Sequence, residues 1–364
     1  MHEYICSVSA FRFYRVPPQV LTMMPAFPDI NYRSGKLALS DYPLACLGLY
    51  QPLDVLATDR NQQGNRKCMR THLWSGEMLP GMFCENEMSV TLTSPLYTLL
   101  TMASYVPETH LLMAMYEFCG NFTVYDPPDD IQTALDAARG TNLSSRYGGW
   151  EQVRDTRGNP TSLWRRPPLI EIDELKRFAE TTAGMRGHKK FLRAASAVTG
   201  ITSSPFEVRA SIRFGLSRRL GGEGLSGFVN NQGIRLTTQA FHLAKQNTCY
   251  ADIFFDETAD HGPVDIECHG HSIHDGSTKG GLDANRTLAL QSMGIEVVLL
   301  THEQLRQPKR FEATMDHIAQ LLNIKRRPKT EAMERRSEQL CRELFIPWQF
   351  LGLYSAAGTS MPPM

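Results

Sequence analysis

The sequence predicts an α/β protein with two parts: a C-terminal mixed sheet flanked by helices and a smaller mixed α/β domain at the N-terminus. Helical and strand-like patterns alternate from about residue 170 onward, as they do where helices pack on a sheet. Within that region, NTCYADIFFD and PVDIECHG have strand-like patterns and are joined by the turn-like ETADHG. This arrangement is typical of a β-hairpin.

Composition limits the class of protein. With 364 residues, 42% of them hydrophobic, the chain is long enough to bury two or three cores. Its 38 Lys and Arg equal its 38 Asp and Glu, so any nucleic-acid binding must come from local patches. The eight cysteines form no C-x-x-C pair, which indicates a reducing compartment. We recognise no signal peptide or membrane span and expect a cytoplasmic protein.

Changes in composition divide the chain into four segments. Residues 1–125 are rich in Met, Pro and Tyr, residues 126–199 contain many turn residues and are expected to be a connector, and residues 200–323 hold the predicted sheet. Residues 324–364 are expected to form a helix and tail. Helices outside the sheet region are predicted after Ser94-Pro95 and over residues 131–138, 172–182 and 189–198.

The elements of the third segment follow in order. A helix is expected from Ser204-Pro205 to Gly221-Gly222, followed by strands at GFVNNQGI and LTTQAFHL and by the hairpin. LDANRTLALQSMG is expected to be a helix that ends at Gly294, and IEVVLLT a buried strand. Thr301 and Gln304 are spaced as a capping box that opens a helix toward Leu322.

The hairpin pattern brings acidic residues together. Alternate side chains of a strand share a face, so the polar face of VDIECH would carry Glu267 and His269. The apolar face of the partner strand would carry Cys249, Ala251, Ile253 and Phe255. Asp252 would then lie on the polar face, where a hairpin register can place it beside Glu267. Two carboxylates in an apolar sheet are costly unless they share a cation.

These motifs, in their order over residues 200–323, resemble the PD-(D/E)xK nuclease superfamily and, within it, the Vsr-like branch of bacterial endonuclease domains. The matching motifs are SPFEVR with Glu207, YADIFF with Asp252, IECHGH with Glu267, His269 and His271, LDANRTLAL with Asp283 and Arg286, and GIEVVLLT. The resemblance implies a restriction-endonuclease-like sheet and metal-dependent hydrolysis of DNA. It also implies Mg²⁺ or Mn²⁺ held by Asp252 and Glu267, with Glu207, His269 and His271 as further catalytic residues.

The sequence departs from the superfamily pattern at one position, where His269 replaces the lysine of E-x-K. The Vsr-like branch also lacks that lysine and often carries an aspartate there. A histidine can accept a proton from water near neutral pH, but it can equally act as a passive hydrogen-bonding group. Lys279 is an alternative source of positive charge. The general base therefore stays open, and a DNA-binding or antitoxin-like regulator without catalysis is the main alternative.

The same histidines support a third interpretation. His269, His271 and His274 are spaced as in the H-x-H-x-D-H motif of metallo-β-lactamase-like hydrolases, which bind zinc. Ile273 replaces the aspartate of that motif, and only about 90 residues follow where that fold requires a second half. A zinc hydrolase is therefore the weaker alternative.

Several candidate residues also have simpler explanations. Glu207 lies three residues after Ser204 and fits a capping box, and Asp265 is expected to be a solvated residue at the strand entrance. Asp283 and Arg286 fit a helix N-cap and its surface neighbour as well as they fit a supporting role.

Basic residues before and along the first helix of the predicted sheet domain suggest a DNA-binding surface. Such charge runs usually mark solvated helix faces. Here they outnumber their acidic neighbours, which favours contacts with phosphate and predicts binding that weakens steeply with salt. The candidates are Lys189, Lys190, Arg209 and Arg213.

Near the N-terminus, ICSVSAFRFYRVP and SVTLTSPLYTLLTMA resemble a region of AbiEi-like antitoxin proteins, which implies a toxin–antitoxin context. Tyr97 and Thr101 stand where those relatives carry arginine and aspartate. The partners expected are DNA and no membrane, and a homodimer is left open.

Overall fold

The structure, a computed structural model, describes residues 4–28, 39, 41–59, 68–86, 88, 90–139, 147–269 and 278–353, with the backbone alone for residues 278–283. The protein is mixed α/β, as predicted. It divides into two compact units. Unit 1 comprises residues 1–153, 160–198 and 347–364, and unit 2 comprises residues 154–159 and 199–346. Most of the segment predicted as a connector belongs to unit 1.

Unit 1 contains two of the sheets. The first has the strand order β3-β2-β1-β5-β4, with β1 antiparallel to β2 and parallel to β5. The second has the order β6-β8-β7. The strands are β1 (Tyr4–Ile5), β2 (Leu53–Ala57), β3 (Met69–Leu73), β4 (Phe83–Glu85), β5 (Thr91–Thr93), β6 (Phe122–Val124), β7 (Glu151–Arg154) and β8 (Pro160–Arg165).

The helices of unit 1 include all four that the sequence predicts. Pro95 occupies the first helical position behind Ser94, where its missing N–H costs no hydrogen bond. The other boundaries differ from the predicted ones by one or two residues. The helices are α1 (Ser7–Phe13), α2 (Pro18–Leu21), α3 (Pro95–Met102), α4 (Glu108–Cys119), α5 (Asp129–Ala137), α6 (Ile172–Thr181) and α7 (His188–Ser196).

The interior of unit 1 contains a fully buried acid, Glu117. The carboxylate of Glu117 accepts hydrogen bonds from Arg15, with Nη2–Oε2 2.6 Å, and from Trp348, with Nε1–Oε2 2.7 Å. Thr123 Oγ1 donates to its other oxygen at 2.7 Å. A buried charge with this many partners is compensated, so Glu117 holds the C-terminal segment containing Trp348 in the core.

Unit 2 contains a four-stranded sheet of order β12-β11-β10-β9. The strands are β9 (Phe228–Arg235), β10 (Thr248–Phe255), β11 (Val264–His269) and β12 (Glu296–Thr301). The predicted hairpin is confirmed: β10 and β11 are antiparallel, with Ile253 opposite Ile266. Strand β12 is parallel to β11, so the sheet is mixed.

The first helix of unit 2, α8 (Pro205–Gly215), begins behind Ser204 as predicted. It ends earlier than expected and is followed by a 3-10 turn at Arg218–Leu220. The strand predicted at LTTQAFHL is wrong, because residues Thr238–Ala244 form helix α9. The Thr237 hydroxyl accepts a hydrogen bond from the Ala240 N–H, and this cap favours a helix over a strand.

The last third of unit 2 differs from the prediction in two further ways. Strand β12 is less buried than expected, with Leu299 46% exposed, because it pairs with a strand only on its β11 side among the described residues. The capping box of Thr301 and Gln304 is confirmed, but the helix it opens is broken before Pro308, which cannot continue the hydrogen-bond ladder. The helices are α10 (Thr278–Ser292), α11 (His302–Arg306), α12 (Pro308–Leu321) and α13 (Glu331–Leu344).

Strand β10 changes the face on which its apolar residues pack. Cys249 and Ala251 contact the cluster that contains Leu290 of α10, whereas Ile253 and Phe255 belong to the cluster that contains Phe206 and Phe214 of α8 and residues of α12. The prediction that these four side chains share one apolar face is therefore wrong. The change occurs at Asp252, opposite Asn231, whose φ of 54° lies in the left-handed region.

Within the described ranges, no helix combines the length and apolar character that crossing a membrane requires.

Candidate functional site

The candidate site lies where β10 and β11 separate. Backbone pairing of the two strands covers residues 253–255 and 264–266. Just beyond it, Asp252 Oδ2 accepts a hydrogen bond from the Cys268 N–H at 2.8 Å. A carboxylate thus occupies the place where a regular ladder has a backbone carbonyl, and the change of face at Asp252 is what turns its side chain toward β11.

Glu267 lies on β11 next to this point and is 8% exposed. Its Oε1 accepts a hydrogen bond from Arg286 Nη2 of α10 at 2.6 Å, and the same nitrogen also donates to the carbonyl of Tyr250. Burial, together with the charges of Asp265 and Asp252, raises the pKa of Glu267 to about 10, against the opposing effect of Arg286. Arg286 is therefore part of the site and not a surface neighbour.

Asp252 and Glu267 lie within electrostatic range of each other, as the hairpin register predicts. Burial raises the pKa of Asp252, and the Cys268 N–H, Arg286 and His269 act in the opposite direction. The charge of Asp252 in turn contributes to the raised pKa of Glu267. Both acids are thus held in a poorly solvated part of the sheet.

Glu207 reaches the same cluster from the start of α8. Its Oε2 accepts from the Ser203 N–H at 2.7 Å, and its Oε1 accepts from the Ser204 hydroxyl at 2.8 Å. The expected capping role is therefore confirmed. Burial and the charge of Asp252 also raise the pKa of Glu207 to about 8, so the same side chain caps the helix and lies near the acids of the sheet.

Asp265 is a fourth acid in this cluster, and the expectation that it is solvated is wrong. Its exposure is 0%, and no cationic or backbone N–H group of the described residues donates a hydrogen bond to its carboxyl. Burial raises its pKa to about 6, and its neighbour on the strand face is the carboxyl of Glu267. Strand alternation places Asp265 on the same face as Glu267, but its burial depends on the flanking strands β10 and β12.

Four acids thus form a cluster, and the guanidinium of Arg286 lies beside three of them, Glu267, Asp252 and Asp265. An ionised carboxyl without a partner is strongly disfavoured in a buried site, so the cluster must take up protons or a cation. Hard divalent cations bind oxygen ligands, and Mg²⁺ commonly uses one or two carboxylates together with water and substrate phosphate. Among the described residues, no group of three or more His, Cys, Asp or Glu is arranged to hold a metal ion. The chemistry of the donors fits a cation shared by two carboxylates.

The remaining histidines are only partly described. His269 ends β11 and lies close enough to Asp252 to lower the pKa of that acid. His271 and His274 lie outside the described residues, as do the side chains of Lys279 and Asp283. The identity of a general base and the zinc interpretation therefore stay predictions.

The predicted basic surface is largely accounted for by internal contacts. Arg213 is 3% exposed; its guanidinium carbon lies 3.5 Å from the centre of the Phe311 ring, and it donates to the Leu305 carbonyl. Arg209 donates to the carbonyls of Leu344 and Ile346 at 2.9 and 3.0 Å. The prediction that Arg213 faces DNA is wrong, because Arg213 is buried. Both arginines bind carbonyls at or just after helix C-termini, where the last carbonyls lack helical partners and attract cations.

The two candidate lysines belong to unit 1. Lys190 donates to the Val106 carbonyl at 2.8 Å, and burial lowers its pKa. Lys189 is exposed. Of the four basic candidates, Lys189 alone lies with its side chain open to solvent, so it alone keeps the predicted surface role.

Comparison with models of known protein families gave no match, and neither curated proteins nor solved structures gave one.

Proposed function

We propose that the protein is a metal-dependent endonuclease-like enzyme that hydrolyses phosphodiester bonds in DNA, using the acids of unit 2. The proposal is carried by one observation: four carboxyls, three of them buried, gather where two strands part, and Arg286 pairs with one of them, Glu267. Acids whose pKa values are shifted by burial and by neighbouring charges cluster at functional sites. DNA as the partner and a cytoplasmic location form part of the proposal.

In this proposal Asp252 and Glu267 hold Mg²⁺ or Mn²⁺. Such an ion, when bound, polarises the scissile phosphate and lowers the pKa of an attacking water. The chain itself orients the two acids: the Cys268 N–H fixes Asp252, and Arg286 fixes Glu267. These two hydrogen bonds limit the motion of both carboxylates and so keep them in position for the reaction.

Glu207 and His269 are the candidates for moving a proton. With a pKa of about 8, the Glu207 carboxyl exchanges a proton near neutral pH, as a general acid or base requires. His269 borders Asp252 on the other strand. The raised pKa values of the acids also mean that cation binding must displace protons, so cleavage should be weak at low pH and increase as pH rises.

Cleavage of supercoiled DNA tests the proposal. We expect nicking in the presence of Mg²⁺ or Mn²⁺ that is abolished by a chelator. Asp252→Asn and Glu267→Gln should each reduce the rate by at least a hundredfold, because each removes a ligand while keeping the side-chain shape. Asp256→Asn is the matched control, since Asp256 is exposed directly after β10. Cleavage that survives both site substitutions would show that another site is responsible.

The second candidate is a regulator that binds DNA without cutting it, in keeping with an antitoxin-like role. The ion pair between Arg286 and Glu267 favours it, because a guanidinium can neutralise the acid that a cation would otherwise occupy. In the same assay, a regulator would bind DNA and leave it intact at every metal concentration.

A further inference from the structure

We infer that the exposed ring of Tyr250 is a stacking platform for an unpaired base, so that the protein binds a nucleic acid with unpaired bases in preference to a duplex. This inference rests on the proposed function for its choice of nucleic acid as the ligand. The binding itself is a property of the outer face of β9 and β10.

The platform is the outer face of the ribbon formed by β9 and β10 beyond Asp252. Tyr250 pairs with Gly233, and Thr248 pairs with Arg235. Paired residues share a face in an antiparallel ladder, so Tyr250, Thr248 and Arg235 point to one side. The alternating residues Cys249 and Ala251 are buried on the other side against α10. One face of the ribbon is thus anchored while the other is open.

The ring of Tyr250 is available on this open face. It is 57% exposed, the largest value among the exposed large apolar side chains of the described residues. Its cross-strand neighbour is a glycine, and a Cβ added to Gly233 would lie 3.4 Å from the ring. The ring therefore extends over the backbone of a residue without a side chain, which leaves its outer surface uncovered.

The backbone of Tyr250, and not its ring, contacts the acid cluster. Its carbonyl accepts a hydrogen bond from Arg286 Nη2, the same nitrogen that bonds to Glu267. The ring itself lies on the opposite face of the sheet, because it alternates with Cys249 and Ala251, which pack against α10. The platform and the acid cluster are therefore two separate surfaces of one sheet.

Arg235 supplies the complementary charge. It is exposed on the same face as Tyr250, and no ion pair involves it within the part of the chain that the structure describes. An open aromatic ring next to a free guanidinium is the combination by which proteins bind single strands, because the ring stacks on a base and the cation contacts phosphate. In a duplex the bases stack on each other, so a ring can reach only a base that is unpaired or turned out of the helix.

Equilibrium binding of fluorescent oligonucleotides tests the inference. The probes are a single-stranded oligonucleotide and the duplex of the same sequence, measured by anisotropy with the full-length protein in a chelator, which stops metal-dependent cleavage. We expect wild-type protein to bind the single strand more tightly than the duplex. Tyr250→Ala should weaken single-strand binding by about tenfold and leave duplex binding unchanged.

Two variants control for other effects of the substitution. Tyr250→Phe keeps the ring and should retain wild-type affinity. Leu299→Ala removes another exposed apolar side chain of the same sheet and should change neither affinity. The inference is overturned if wild-type protein binds neither probe, if Tyr250→Ala binds the single strand like wild type, or if it loses both probes equally.

Failure of the inference can be told apart from failure of the proposed function. Binding that depends on Tyr250, combined with no metal-dependent nicking, would overturn the function and support the platform. Nicking that depends on Asp252 and Glu267, combined with single-strand binding that does not depend on Tyr250, would support the function and overturn the platform.

Discussion

Asp265 and Glu267 occupy the same face of β11, but of these two acids only Glu267 is hydrogen-bonded to Arg286. Two buried acids beside one guanidinium leave at least one negative charge without a partner when both are ionised. A buried unpaired charge costs several kcal/mol. The folded chain therefore stores an unfavourable interaction at this site, which protonation or a cation relieves.

We expect Asp265→Asn to stabilise the protein at pH 8 in the presence of a chelator. Burial raises the pKa of Asp265 to about 6, compared with about 3.9 in an unfolded chain. The folded state therefore binds the proton more tightly, and the acid lowers the free energy of unfolding progressively as pH rises from about 4 to about 6. The amide carries no charge, so the variant should gain about 1 to 3 kcal/mol at pH 8 and little at pH 4.

Urea unfolding of wild type and variant at the two pH values measures this difference. Asp256→Asn, which removes an exposed acid, should leave the free energy of unfolding unchanged at both. A variant that is less stable than wild type at pH 8 would contradict the prediction, because it would mean that the ionised Asp265 has a favourable partner.

At the scale of single elements, the site depends on the change of face in β10. Opposite Asp252, Asn231 adopts a left-handed φ of 54°, a conformation that asparagine tolerates better than most residues with a side chain. Regular pairing continues on both sides of this position. The kink therefore sends Ala251 and Ile253 to opposite faces without ending the strand, and it frees Asp252 to reach the Cys268 N–H.

We expect Asn231→Val to lower the free energy of unfolding by about 1 to 2 kcal/mol, because a β-branched residue is disfavoured at positive φ. Its metal-dependent nicking rate should also fall by at least tenfold, since a small displacement of Asp252 is sufficient to impair catalysis. Asn231→Gly, which adopts positive φ without strain, should keep the wild-type rate. Equal rates for the Val and Gly variants would show that Asn231 does not fix the position of Asp252.

The sequence predicted the elements whose signals are local. The hairpin of β10 and β11 and the capping box at Thr301 are determined by residues a few positions apart, and both are confirmed. Helix α9 is the exception, because the Thr237 cap at its start is also a local signal, yet a strand is predicted there. The exposure of Leu299 could not be predicted, because it depends on which strands flank β12 and not on the residues of β12 itself.

The candidate site was also predictable only where its signals are local. The alternation of side chains along a strand predicts that Asp252 and Glu267 lie together. It wrongly places Ile253 and Phe255 on the face of Cys249 and Ala251, because β10 changes face at Asp252. The burial of Asp265 results from its pairing with Phe254 and Val297 on the flanking strands, which no local pattern reveals. Arg213 was assigned to the surface because its packing against Phe311 joins residues far apart in the chain.

At the scale of the whole molecule, charge is balanced, with 38 basic and 38 acidic side chains. Several clustered cations are engaged within their own unit. Arg193 pairs with Glu108 in unit 1, and Arg326 and Lys329 pair with Glu312 in unit 2. Together with the internal contacts of Arg209 and Arg213, these pairs remove several cations from the basic surface that the sequence predicts. Those residues should therefore contribute little to the salt dependence of binding, which we expect to be shallower than the sequence suggests.

We expect single-strand binding to fall with salt at a slope of about −2 in a plot of log affinity against log salt concentration, which corresponds to two or three phosphate contacts. Arg235→Gln should make the slope shallower by about 0.7, the value for one contact on a single strand, whereas Arg213→Lys should leave it unchanged because Arg213 is buried. Anisotropy titrations between 50 and 300 mM salt provide both slopes. A wild-type slope steeper than about −4 would contradict this prediction, because it would mean that many cations besides Arg235 contact the strand.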